Sequence, residues 1–193
     1  MQPENALIAR ICHDLVTPFN AIGLGMEAYE ASGDLSLLEH VKESVGKANI
    51  ILKFMREMYS EKSETFRHSF ASLNALISDF LRDRSITIDL KLNESRIPHG
   101  IAQIMMLDVV VAKESMPFGG AMQCHVGKDL REITLSYAGR NISVPDLNLC
   151  GELNHKNIML YSLVKILEEN EWELKILLQG TDVLIFQKKR PHA

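Results

Sequence analysis

Ile11-Cys12-His13-Asp14-Leu15-Val16-Thr17-Pro18-Phe19-Asn20-Ala21-Ile22 lies inside a helical stripe that sets the architecture of the first third of the chain. Ile8, Ile11, Leu15, Ile22, Met26 and Tyr29 recur at spacings of three, four and seven, the period of one helix face. The pattern stops at Ala31-Ser32-Gly33-Asp34, with Gly33 where a left-handed helix end belongs. Ser36-Leu37-Leu38-Glu39 then has the form of a capping box. It opens a second stripe, Leu38, Val41, Val45, Ala48, Leu52, Met55 and Tyr59. Each helix is expected to run roughly 25 residues, about 38 Å at 1.5 Å per residue, and so short a turn predicts an antiparallel pair. Two helices alone cannot bury both stripes, and Cys12 and Phe19 widen the first face beyond a coiled-coil seam. The expected solution is a homodimer in which two hairpins form a four-helix bundle. The alternative is that the second half of the chain covers the hairpin.

Past the hairpin the period changes. Ser60 to Ser69 is polar and reads as a linker, which sets the expected domains at 1–66 and 70–193. A short helix is predicted over Ser72–Asp83, an alternating strand over Ile86–Leu92, and a helix apolar nearly all round over Ile97–Met116, closed by Pro117-Phe118-Gly119-Gly120. Strands follow at Ala121–Val126 and Glu132–Tyr137, with Lys128-Asp129 between them. A helix over Lys156–Glu169 takes Asn154 as its cap, and Trp172–Leu178 and Val183–Lys188 form a hairpin around Gln179-Gly180-Thr181. The fold class is therefore α+β: a helical hairpin followed by helices on one face of a mixed sheet. Met105-Met106 reads as core filling, and Lys188-Lys189-Arg190 as a solvated tail.

Composition removes several function classes. Of 193 residues 46% are hydrophobic and 24% charged, with net charge −4; such a chain folds but carries no electrostatic footprint for nucleic acid. The apolar run Ile101–Ala112 is broken by Gln103 and Asp108 and is too short for a bilayer, and Met-Gln-Pro-Glu-Asn lacks a basic leader. No membrane partner is expected. Cys12, Cys124 and Cys150 are odd in number and scattered, which offers neither a disulfide framework nor a zinc site and points to the reducing cytoplasm. His40, His68, His99, His125, His155 and His192 show no ligand spacing and read as structural or solvated.

His13 is different. With Ile8, Leu15, Ile22 and Tyr29 as heptad a positions, it falls at f, directly away from the core, where packing cannot explain an imidazole. Arg10, Val16, Thr17, Asn20, Leu24 and Glu27 share its face, and apolar Val16 and Leu24 on a wet face suggest a docking partner. Pro18 removes the hydrogen bond to the carbonyl of Asp14 one turn on.

His13-Asp14-Leu15-Val16-Thr17-Pro18, with Ile22 after it, resembles the H-box of the dimerisation and phosphotransfer domain of sensor histidine kinases. Those kinases continue into an ATP-binding α/β domain, which the second half resembles in the order of its elements. Their ATP boxes have no counterpart here. Leu107-Asp108-Val109-Val110-Val111-Ala112 stands where an Asn-x-x-x-Asn-Ala box belongs, and Tyr137-Ala138-Gly139-Arg140-Asn141-Ile142-Ser143-Val144-Pro145 stands in place of Asp-x-Gly-x-Gly. Without backbone amides and a metal ligand to hold a triphosphate, no ATP binding is expected.

A kinase-like hairpin joined to a degenerate ATPase-like domain is similar to the layout of the ChpT-type bacterial histidine phosphotransferases. That resemblance implies a homodimer relaying a phosphoryl group from the receiver domain of a donor hybrid kinase to an acceptor response regulator. His13 would be the phosphoacceptor, with Asp14 or Thr17 fixing its tautomer and Asp14 favoured for its negative charge. Arg10, Val16, Asn20 and Leu24 would meet the receiver. The chain would need no cofactor or metal of its own, the Mg²⁺ arriving with the receiver. Two other readings stay open: a non-catalytic dimeric adaptor for receivers or kinases, and an ATP-dependent histidine kinase.

Overall fold

Pro3 stands in the first turn of α1 (Pro3–Ser32), where its missing N–H is harmless. In this computed structural model, which describes residues 1–63, 65–82, 85–92, 94–145, 152–180 and 182–191, α1 runs unbroken through Pro18. Gly33 ends it at φ 69°, donating its N–H to the carbonyl of Tyr29 at 2.8 Å. The corner into α2 (Leu37–Tyr59) is set by Asp34 rather than by a Ser36 capping box. The Ser36 amide donates to Asp34 Oδ1 at 2.9 Å, and the Ser36 hydroxyl and amide together hold the Asp34 carboxyl below its usual range. Farther along, a Cβ on Gly25 would lie 2.7 Å from Val41 Cγ2, so glycine is what permits the close approach of α1 and α2.

The chain divides into two compact units, Met1–Tyr59 with Glu152–Ile158, and Ser60–Gly151 with Met159–Ala193. In the first unit, none of the α1 stripe Ile8, Ile11, Leu15, Ile22, Met26 and Tyr29 is buried; only Ala6 and Pro18 are. Ile8, Phe19 and Met26 on α1 and Val45 and Leu52 on α2 remain exposed. A pair of helices has too few neighbours to cover an apolar face this wide.

The second unit is built on a mixed five-stranded sheet in the order β2-β4-β5-β7-β6: β2 (Ile86–Lys91), β4 (Gly120–Val126), β5 (Glu132–Ala138), β6 (Glu173–Gln179) and β7 (Val183–Lys189). β2 runs parallel to β4 and the other pairs are antiparallel. Alternation buries Met122, Cys124 and Val126, then Ile133, Leu135 and Tyr137, then Leu184, Phe186 and Lys188, one face of the pleat. His125 points outward while Cys124 is buried, and burial pushes the Cys124 thiol up to about 12. Helices α3 (Phe70–Leu81), α4 (His99–Ser115) and α5 (Ile158–Glu169) supply the remaining layer. Met105 and Met106 are buried in α4, which is covered on nearly every side.

Two sequence readings are corrected here. The segment read as a polar linker contains β1 (Arg67–Ser69), paired antiparallel with β3 (Arg96–Pro98); three residues with one buried side chain, His68, are too few to leave a periodic signal. Lys188 is no solvated tail residue. It continues the Leu184–Phe186 alternation inward and is fully buried, its Nζ 2.5 Å from Asp108 Oδ2. Neither group has another polar partner among the described residues. Burial raises Asp108 from the usual carboxylate range to about 6, with Lys188 opposing the shift. Asn154 accepts the Lys156 amide on its side chain and the Ile158 amide on its carbonyl, so it shapes the entry to α5. Cys150, His192, Asp83 and Thr181 lie outside the described residues. No helix among the described residues is long and apolar enough to cross a membrane.

Candidate functional site: the His13 face of the first helix

Helical spacing brings Arg10, His13, Asp14 and Thr17 onto adjoining turns of α1. The His13 side chain is 64% exposed, as the heptad assignment requires. Its Nδ1 lies 3.2 Å from Asp14 Oδ1. The other carboxylate oxygen, Asp14 Oδ2, accepts from Arg10 Nε at 2.8 Å. Arg10 and Asp14 are mostly covered, at 13% and 19% side-chain exposure, so this pair is more rigid than a freely solvated one.

A carboxylate only accepts, so the proton between Asp14 and His13 resides on Nδ1. Nε2 makes no hydrogen bond among the described residues, so it is the ring nitrogen left available to a reaction partner. Of the two residues the sequence left open for this role, Asp14 makes the contact. Thr17 is exposed and makes no hydrogen bond to His13 among the described residues. Val16, Asn20 and Leu24 are all exposed on the same helix, leaving apolar groups in the open beside the imidazole.

Sequence reading missed one member of this site. Glu152–Ile158 returns to the helical pair, and the His155 ring stacks on His13 with centroids 4.9 Å apart and planes 25° from parallel. Arg10 Nη1 donates to the His155 carbonyl at 3.1 Å, and the amino terminus pairs with Glu152 at 3.2 Å. Internal bonds shape the segment: the Asn154 amide donates to Asn157 Oδ1 at 2.8 Å, and the Asn154 and Asn157 side-chain amides both donate to the Glu152 carbonyl. Nothing in the spacing of His13 and His155, 142 positions apart, marks the pair; only Asn154, read as a helix cap, hinted at an ordered turn. The described residues hold no cluster of three metal-ligating side chains.

No family model matches this chain. A curated relative, protein phosphotransferase ChpT of Brucella abortus (strain 2308), is 22% identical over 143 residues, covering 72% of this chain and 68% of that protein. Among solved structures, a bacterial phosphotransferase superposes with a TM-score of 0.81 over 97% of this chain and 95% of its own, at 18% identity. The Acinetobacter baumannii histidine kinase AdeS superposes at 0.51 over 93% and 98%, at 12% identity. The fold is thus shared with a phosphotransferase across nearly the whole chain, and more distantly with a histidine kinase.

Proposed function

We propose that this protein is a histidine phosphotransferase that relays a phosphoryl group between the aspartates of receiver domains. The observation that carries this reading is the exposed His13 imidazole, tied through Nδ1 to Asp14 with Nε2 open. The similarity to protein phosphotransferase ChpT supports it. Nε2 attacks the phosphorus of an aspartyl phosphate; the P–N bond forms as the bond to the aspartate oxygen breaks. The donor carboxylate leaves, and the proton stays on Nδ1 beside Asp14, whose charge favours the resulting imidazolium. The second transfer reverses these steps onto an acceptor aspartate. Such chemistry needs in-line placement and charge neutralisation more than covalent help.

Val16 and Leu24 offer the receiver apolar side chains beside the imidazole and Asn20 a polar one, while Arg10, mostly covered, holds Asp14 and the His155 carbonyl from behind. The Mg²⁺ belongs to the receiver. The reading needs no nucleotide site on this chain, and the burial of Asp108 against Lys188, in the segment that stands where the kinases' ATP box belongs, supports that. A second copy covers the open apolar face of α1 and α2, completing a four-helix bundle. The free thiols Cys12 and Cys124 support a reducing compartment, the cytoplasm.

Incubation with a phosphorylated receiver tests the assignment. Wild type acquires acid-labile, base-stable label and passes it to a second receiver, while His13→Ala acquires none. Label on His13→Ala would end the proposal. Label taken from ATP alone would replace it with kinase activity. Receiver binding with no label on wild type, and unchanged signalling by His13→Gln, would leave an adaptor.

A further inference from the structure

We propose that His155 is a positioning residue for the His13 imidazole, holding its ring plane so that Nε2 faces an incoming phosphorus. This deepens the phosphotransfer reading and rests on it for its functional meaning. An exposed histidine on a helix turns about two side-chain bonds, and the single Nδ1 contact to Asp14 fixes one atom of the ring without fixing its plane. The His155 ring, nearly parallel at 4.9 Å, removes that remaining rotation and shields one face, while the His13 side chain as a whole stays 64% exposed. Flat rings in offset contact stabilise such an arrangement modestly.

The arrangement is built rather than incidental. One guanidinium ties its two halves together: Arg10 Nε holds the carboxylate that orients Nδ1, and Arg10 Nη1 holds the backbone carbonyl of the residue that supplies the backstop. Asn154 and Asn157 fold the segment on itself around the Glu152 carbonyl. His155 is thereby presented from a shaped turn. Because Arg10 grips the main chain of residue 155, removing the ring leaves the anchor in place, which separates the role of the ring from that of the segment.

The experiment compares wild type, His155→Ala and His155→Phe, the last keeping a flat ring without ring nitrogens. Nitrogen-15 spectra of His13 report its tautomer and ring order directly. Wild type and His155→Phe should show one Nδ1–H tautomer with a restricted ring, and His155→Ala a mobile ring with averaged signals. Single-turnover transfer from a phosphorylated receiver should slow about 10–100-fold in His155→Ala. The half-saturating receiver concentration should stay unchanged, and His155→Phe should return to within a few-fold of wild type. A His155→Ala protein with unaltered His13 signals and rate overturns the proposal, as does a His155→Phe protein as slow as His155→Ala. If wild type takes no phosphoryl group, the relay reading fails, and the nitrogen-15 signature by itself decides whether His155 holds the ring.

Discussion

In α4, 12 of 17 residues are buried, whereas α1, 30 residues long, buries only Ala6 and Pro18. The two helices have comparable shares of apolar residues but meet different surroundings. α4 belongs to a unit whose sheet and helices enclose it, so that even a charged pair, Asp108 and Lys188, is sealed inside. α1 belongs to a helical pair whose apolar stripe stays open apart from the contact with α2. One unit completes its core within a single chain, and the other presents both an open apolar face and an exposed imidazole. The difference teaches that a similar share of apolar residues is enclosed or left open according to the neighbours its helix finds within the chain, and the open face is where the proposed partners would dock.

The largest expected effect on stability strikes the sealed unit. Lys188→Met leaves the Asp108 carboxylate buried without its counter-charge and should cost about 3–5 kcal/mol, lowering the melting temperature by roughly 6–20 °C at about 2–4 °C per kcal/mol. Asp108→Leu combined with Lys188→Met should recover most of that loss in calorimetry. A double variant as unstable as the single one would break the contrast, because the core would then need the ion pair itself. The same carboxyl gives a pH signature. Its folded value is raised above its unfolded one, so the stability it confers is full below about pH 4 and declines as pH rises through about 6. Chemical denaturation across that window should show this decline in wild type, and the double variant should lack it.

The open unit should respond through association instead. Phe19→Glu places a charge in the face assigned to a second copy, and the dimer dissociation constant should rise about 100–10,000-fold, because both copies lose a buried aromatic side chain at about 1.5–3 kcal/mol each. Sedimentation equilibrium measures this, and circular dichroism should find the helices retained. An unchanged dimer would move the interface elsewhere on the hairpin. The smallest effect sharpens the picture inside the hairpin. A Cβ on Gly46 meets nothing within 4 Å, so Gly46→Ala should stabilise by about 0.5–1 kcal/mol through helix propensity. Gly25→Ala should not, because the stiff Val41 side chain stands in the way.

Much of the fold was legible from spacing. The period of 3.6 marked α1 and α2, Gly33 marked their corner, and the near-continuous apolar run marked α4 as enclosed. Heptad position f put His13 in water, and the structure agrees. Where reading failed, the cause was a local signal outweighed by a distant one. Lys188-Lys189-Arg190 looks like a tail because charge usually seeks water, yet the alternation of Leu184, Phe186 and Lys188 already placed the lysine on the inward face. β1 was too short for any period to register. Ser36 had the right neighbours for a capping box, but Asp34, two residues earlier, accepts the amide that the box would have given to Glu39.

The amino-acid sequence alone determined which helix carries the imidazole and which way that imidazole faces, because helix geometry fixes which residues share a face; that Asp14 rather than Thr17 meets the ring came from the structure. The tertiary structure decided that His155 covers one side of that ring and that Asp108 meets Lys188. Both pairs join residues far apart in the chain, and local periodicity carries no record of such distant encounters.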